Sequence, residues 1–225
     1  MKKLLLLHGA IGAKDQLDPL KKMLSKSFRV YSFSFSGHGE SDFKKGFDID
    51  QFTADTLSFL SSNNLAKVCI FGYSMGGYVA LNLAKNYPEK VEQIVTFGTK
   101  FKWSPAIAQK EVKMLDASII ANKVPAFAKA LSVRHGTKWK ALLSKTADMM
   151  LAMGAEAPLK LSDYKNIPHN CKLMLAESDE MVTKEETLAV VNALPKASFQ
   201  TIPKAKHSIE KVDLLLLSKE IAEAM

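Results

Sequence analysis

The sequence predicts an α/β fold with a mainly parallel sheet of about six strands, and three observations predict it. Short apolar runs alternate with longer amphipathic ones, and a glycine-flanked serine turn joins the most apolar run to a helical one. Residues 104 to 165 carry helical patterns with no strand signal.

Strand-length apolar runs lie at residues 3–7, 29–35, 67–72, 93–97, 172–176 and 197–202. Val68-Cys69-Ile70-Phe71 is apolar on both faces and is expected at the sheet centre. Tyr31, Phe33 and Phe35 alternate with Ser32, Ser34 and Ser36, a pattern expected near an edge. Helical spacing appears over residues 15–26, 50–63, 75–86, 184–194 and 209–223, as in Leu17, Leu20 and Leu24. Between the fourth and fifth strands, Ser104-Pro105 reads as an N-cap followed by proline at the first helical position. Gly154 reads as the terminator of a helix beginning near Thr137. The expected division is a core domain of residues 1–103 and 166–225 with a helical cap insertion at 104–165. Met114, Met149, Met150 and Met153 of that insertion suit either an adaptable apolar pocket or plain packing on the core.

The 225 residues are 47% hydrophobic and 24% charged, enough for one globular domain held by its own core. The net charge is +8, yet Arg29 and Arg134 are the only arginines and the lysines are scattered. A nucleic-acid reader concentrates arginine for bidentate contacts, so no nucleic-acid partner is expected. The opening Met1-Lys2-Lys3 and its four leucines imitate an export signal but fall short of the roughly 7 to 15 apolar residues one needs. No run approaches a membrane span. Cys69 and Cys171 stand far apart in apolar runs without a metal or redox spacing, which fits free thiols in a reducing compartment. A cytoplasmic location is expected; oligomeric state is not readable.

The chemistry centres on Gly72-Tyr73-Ser74-Met75-Gly76-Gly77, directly after the most apolar strand and before a helix. Such a turn places Ser74 in a strained conformation at the strand end, with the Met75 amide at a helix N-terminus that favours negative charge. A serine hydroxyl needs a base, and the base needs an orienting acid. Asp179 and His207 both fall in loops just after predicted strands, on the carboxyl edge that also presents Ser74. Serine, acid and histidine follow the chain order associated with this elbow. At the exit of the first strand, His8-Gly9-Ala10-Ile11-Gly12 is expected to bring the Ala10 amide beside that of Met75, with His8 as a scaffold for the loop. His38, Tyr73, Met149 and Met153 are expected near the substrate pocket. Glu177 and Glu180 flank the favoured acid as alternatives. His135 reads as a surface residue of the insertion and His169 as a loop residue. No clustered ligands suggest a metal, and no cofactor is expected.

These residues resemble the alpha/beta-hydrolase superfamily, in particular small cap-bearing serine esterases. The resemblance rests on His8-Gly9, on Phe35-Ser36-Gly37-His38-Gly39-Glu40-Ser41, on the elbow through Leu81, on Ala176-Glu177-Ser178-Asp179 and on Ala205-Lys206-His207-Ser208. It implies a triad of Ser74, Asp179 and His207, oxyanion donors at Ala10 and Met75, and a small ester or related acyl substrate. The chain begins at what resembles the family's third strand, so the resemblance implies a sheet of six parallel strands lacking the family's N-terminal strand pair. Ser34 stands where the family often has aspartate, and Tyr78 where menaquinone-pathway members usually carry arginine. Thioester hydrolysis, carbon–carbon hydrolysis and cofactor-free lysis use the same triad; a non-catalytic small-ligand binder is the alternative of another class.

Overall fold

Six parallel strands form one sheet in the order β2-β1-β3-β4-β5-β6 in the computed structural model, which describes residues 1–225. The strands are β1 (Lys3–Leu7), β2 (Arg29–Ser32), β3 (Val68–Tyr73), β4 (Val91–Phe97), β5 (Asn170–Ala176) and β6 (Ala197–Ile202). Helices α1 (Asp18–Leu24), α2 (Ile49–Ser62), α3 (Met75–Asn86), α8 (Lys184–Ala193) and α9 (Leu214–Ala224) connect and close them. Four more, α4 (Pro105–Val112), α5 (Ala117–Lys123), α6 (Pro125–His135) and α7 (Trp139–Ala155), occupy the chain between β4 and β5.

Period-two alternation splits the strand side chains between two cores. Leu5, Leu7, Ile70, Ile94 and Leu173 pack with α2, α3 and α8. Leu4, Leu6, Phe71, Val95 and Phe97 pack on the opposite face with α1 and α9. All six residues of β3 are buried and β2 is an edge, as their compositions predict. The edge strand ends at Ser32, short of the predicted Phe35. From Ser36 the chain turns, and the buried Asp55 carboxylate on α2 accepts from the Ser36 amide at 2.8 Å, a backbone bond that a sheet neighbour would otherwise supply, and from the Ser36 hydroxyl at 2.6 Å.

Ser104 caps α4 by accepting from the Ile107 amide. Gly154 does not end α7. It lies inside the helix, where a Cβ would meet that of Ala108 at 2.6 Å, so its missing side chain lets α7 cross closely over α4. Cys69 and Cys171 are buried free thiols, pushed up by burial to about 11 and about 12. No helix is long and apolar enough to cross a membrane.

Candidate active site

β3 delivers Ser74 to the carboxyl edge of the sheet at φ 50° and ψ −117°, a strained backbone for a residue with a side chain. Surrounding bonds hold the strain: the Ser74 amide donates to Phe97 O at 2.8 Å, and Thr99 Oγ1 donates to Ser74 O at 3.0 Å. Met75 opens α3, leaving its amide without an intrahelical acceptor. Gly76 permits the approach to the neighbouring strand exit, since a Cβ there would sit 2.3 Å from Leu7 O and 2.7 Å from His8 O. That approach sets the helix N-terminus against the loop carrying Ala10. His8 orients this loop: Nδ1 donates to Gly9 O at 2.8 Å while Nε2 accepts from the Phe35 amide at 3.1 Å. Full burial lowers its pKa to about 4, consistent with a neutral scaffold ring.

Asp179 and His207 come together from the loops after β5 and β6. His207 Nδ1 lies 2.9 Å from Asp179 Oδ2, and the carboxylate is 1% exposed. The other oxygen accepts from the Met181 and Val182 amides at 2.9 Å each, which locks the carboxylate plane. Glu177 instead accepts from the Lys204 amide, and Glu180 forms an exposed pair with Lys206; neither bonds to His207.

Ser74 and His207 line one narrow cavity of about 50 Å³ together with Ala10, Met75, Met149 and Met153. No hydrogen bond joins the hydroxyl to the imidazole; the two residues share the lining of this cavity. Three further predicted residues lie elsewhere. Tyr73 points to the opposite face of the sheet, because successive strand residues alternate. There its ring stacks on Phe97 and its hydroxyl donates to His207 O at 3.2 Å, so it supports the histidine from behind. His38 is fully buried, stacked on Phe47, with Nδ1 donating to Ser36 O, and it does not reach the cavity. Met114 is 66% exposed and takes no part in the site.

His135 is buried rather than a surface residue. His169 precedes β5, as expected, with Nε2 donating to Pro88 O.

Sequence reasoning missed several neighbours. Gly98 takes φ +63° directly beneath the pair, where a Cβ would stand 3.3 Å from the His207 ring and 3.5 Å from Asp179 Oδ2. Lys100 and Glu111 form an ion pair of 3.3 Å that lines the cavity and ties α4 to the loop after β4. Lys100 also donates to Met181 O at 2.7 Å. Trp103 contributes a buried indole N–H with no acceptor. Their one sequence signal was position: all but Glu111 follow β4 at the strand edge that presents Ser74. Glu186, in the Thr183–Glu186 capping box of α8, accepts from the Phe101 and Lys102 amides and secures this loop. No group of three His, Cys, Asp or Glu side chains is placed to hold a metal ion.

A family model described as alpha/beta hydrolase fold matches residues 2–138, more than half of the chain. A Bacillus subtilis (strain 168) protein with the provisional name 2-succinyl-6-hydroxy-2,4-cyclohexadiene-1-carboxylate synthase is 24% identical over 245 residues, spanning 96% of this chain and 88% of that one. The pimeloyl-(acyl-carrier protein) methyl ester esterase of Neisseria meningitidis serogroup B (strain H44/76) is 33% identical over 94 residues, 42% of this chain and 35% of that relative. The crystal structure of the enol-lactonase from Burkholderia xenovorans LB400 superposes with a TM-score of 0.80 at 19% identity, covering 99% of this chain and 90% of that one.

Proposed function

The chain belongs to the alpha/beta hydrolase fold family, and from that premise we propose that it is a serine hydrolase cleaving a small carboxylic ester through an acyl-enzyme. One observation carries the reading: a strained serine shares a cavity with an imidazole whose far nitrogen is held by a buried carboxylate.

With its Nδ1 proton directed at Asp179, His207 presents Nε2 as the base. It takes the Ser74 proton as Oγ bonds to the ester carbonyl carbon, and the oxyanion is received by the Ala10 and Met75 amides. Collapse breaks the carbon–oxygen bond, and His207 protonates the departing alcohol. Water then gives its proton to His207 and its oxygen to the acyl carbon, releasing the acid and restoring Ser74. The helices of residues 104–165 serve as a cap over this site. The cavity is far below the roughly 300 Å³ of an ordinary ligand pocket, so substrate entry displaces the unbranched side chains of Met149, Met150, Met153 and Met181.

The unpartnered Trp103 N–H offers a donor for a second acceptor on the acyl part of the substrate, whichever bond is cleaved. A fluorophosphonate is expected to label wild-type protein at Ser74, and Ser74→Ala to abolish both label and turnover of short aryl esters. Folded wild-type protein that neither labels nor hydrolyses ends the proposal. Comparing esters, thioesters and diketones at fixed length separates the bond classes.

A further inference from the structure

His135 closes α6, 2% exposed, and its ring bridges two loops of the core. Nδ1 accepts from the Gly39 amide at 2.9 Å, and Nε2 lies 2.9 Å from Ile11 O. An amide hydrogen on one side and a carbonyl on the other require a neutral ring protonated at Nε2. Burial lowers its pKa in the same sense; the bond to the Ile11 carbonyl and the charge of Asp15 oppose that, and Arg134 and Lys138 of its own segment add to it. The neighbouring His38, 6.3 Å away between ring centres, is itself neutral by burial, as is His8 beyond it.

Ile11 directly follows Ala10 and holds φ +52°, a conformation a β-branched residue keeps only where its surroundings impose it. The α6 end is fastened to the same region twice more. Arg134 pairs with Asp15 at 3.0 Å, and the Lys138 ammonium donates to Ser41 O.

We propose that His135 is a positioning residue, holding Ile11 O so that the Ala10 amide faces the oxyanion and the oxyanion hole is complete only while the cap is docked. The inference rests on the reading of Ala10 as an oxyanion donor, and it assigns a cap side chain to the reaction although that side chain touches no substrate.

Two substitutions separate this role from plain packing. His135→Leu keeps apolar volume and removes both hydrogen bonds, whereas His135→Gln keeps one donor and one acceptor without a titratable group. The measurements are kcat and KM per fluorophosphonate-titrated site, and amide hydrogen exchange over residues 9–12, where the Gly12 amide is bonded to Gly9 O. His135→Leu is expected to lower kcat by about 10- to 100-fold with KM little changed, and to speed exchange of the Gly12 amide. His135→Gln is expected to restore kcat to within about threefold of wild type. Arg134→Gln, which loses the adjacent ion pair but keeps both His135 hydrogen bonds, should lower kcat far less than His135→Leu. Full kcat in folded His135→Leu, or unaltered exchange over residues 9–12, overturns the inference. So does an equal loss in Arg134→Gln. A wild-type chain without label or turnover defeats the hydrolase reading instead, and the exchange measurement still decides whether His135 holds the loop.

Discussion

Both carboxylate oxygens of Asp179 face His207 Nδ1, Oδ2 at 2.9 Å and Oδ1 at 3.1 Å, and Oδ1 also accepts from the amides of Met181 and Val182. The shared Oδ1 makes the pair rigid. The loop amides fix the carboxylate, the carboxylate fixes the imidazole tautomer, and the histidine lines the cavity shared with Ser74.

Asp179→Asn should keep the amide contacts at Oδ1 but offer an N–H in place of Oδ2, the nearer of the two oxygens that now face His207 Nδ1. The ring then takes the wrong tautomer. Ester turnover at pH 7 is expected to fall by about 10⁴-fold with little change in melting temperature. Activity within tenfold of wild type would remove Asp179 from the proposed triad.

Gly98→Ala tests the floor of the site. Its φ of +63° costs a side-chain residue about 1–2 kcal/mol, and the new Cβ presses on the His207 ring at 3.3 Å. The urea midpoint should drop accordingly, and kcat should fall by about tenfold or more as the imidazole shifts. A variant matching wild type in both would mean the loop yields without disturbing His207.

Lys100 and Glu111 are each largely shielded, at 14% and 9% side-chain exposure. Lys100→Met strands a carboxylate and is expected to cost about 3 kcal/mol, whereas Lys100→Met with Glu111→Leu should recover most of that loss. Denaturant titration of the three proteins gives the comparison. Equal destabilisation in the single and double variants would show that the charges are not coupled.

Acid should weaken the fold through its buried histidines. Burial drives His8 to about 4 and His38 well below its ordinary value. The unfolded chain binds their protons near pH 6.5, so it holds more protons than the folded state between about pH 6.5 and 4. Stability is therefore complete above that window and is lost as pH falls through it. For His8 alone the loss between pH 7 and 5 is on the order of 2 kcal/mol, before paired carboxylates add theirs nearer pH 4. A urea midpoint unchanged between pH 7 and 5 would contradict this.

The sequence by itself determined the parallel sheet, the central place of β3, the serine turn and the strand-end positions of 179 and 207, because these follow from local periodicity and turn chemistry. It left undecided what the side chains meet. Tyr73 turned to the back of His207 because strand alternation carries it away from the Ser74 side. His135 became buried because α6 docks on loops 124 and 96 residues earlier in the chain. Gly98 and Lys100 acquired their neighbours only when β4, β5 and β6 aligned their ends. Contacts between distant segments depend on how helices and loops pack in three dimensions, and no spacing within a single segment encodes that.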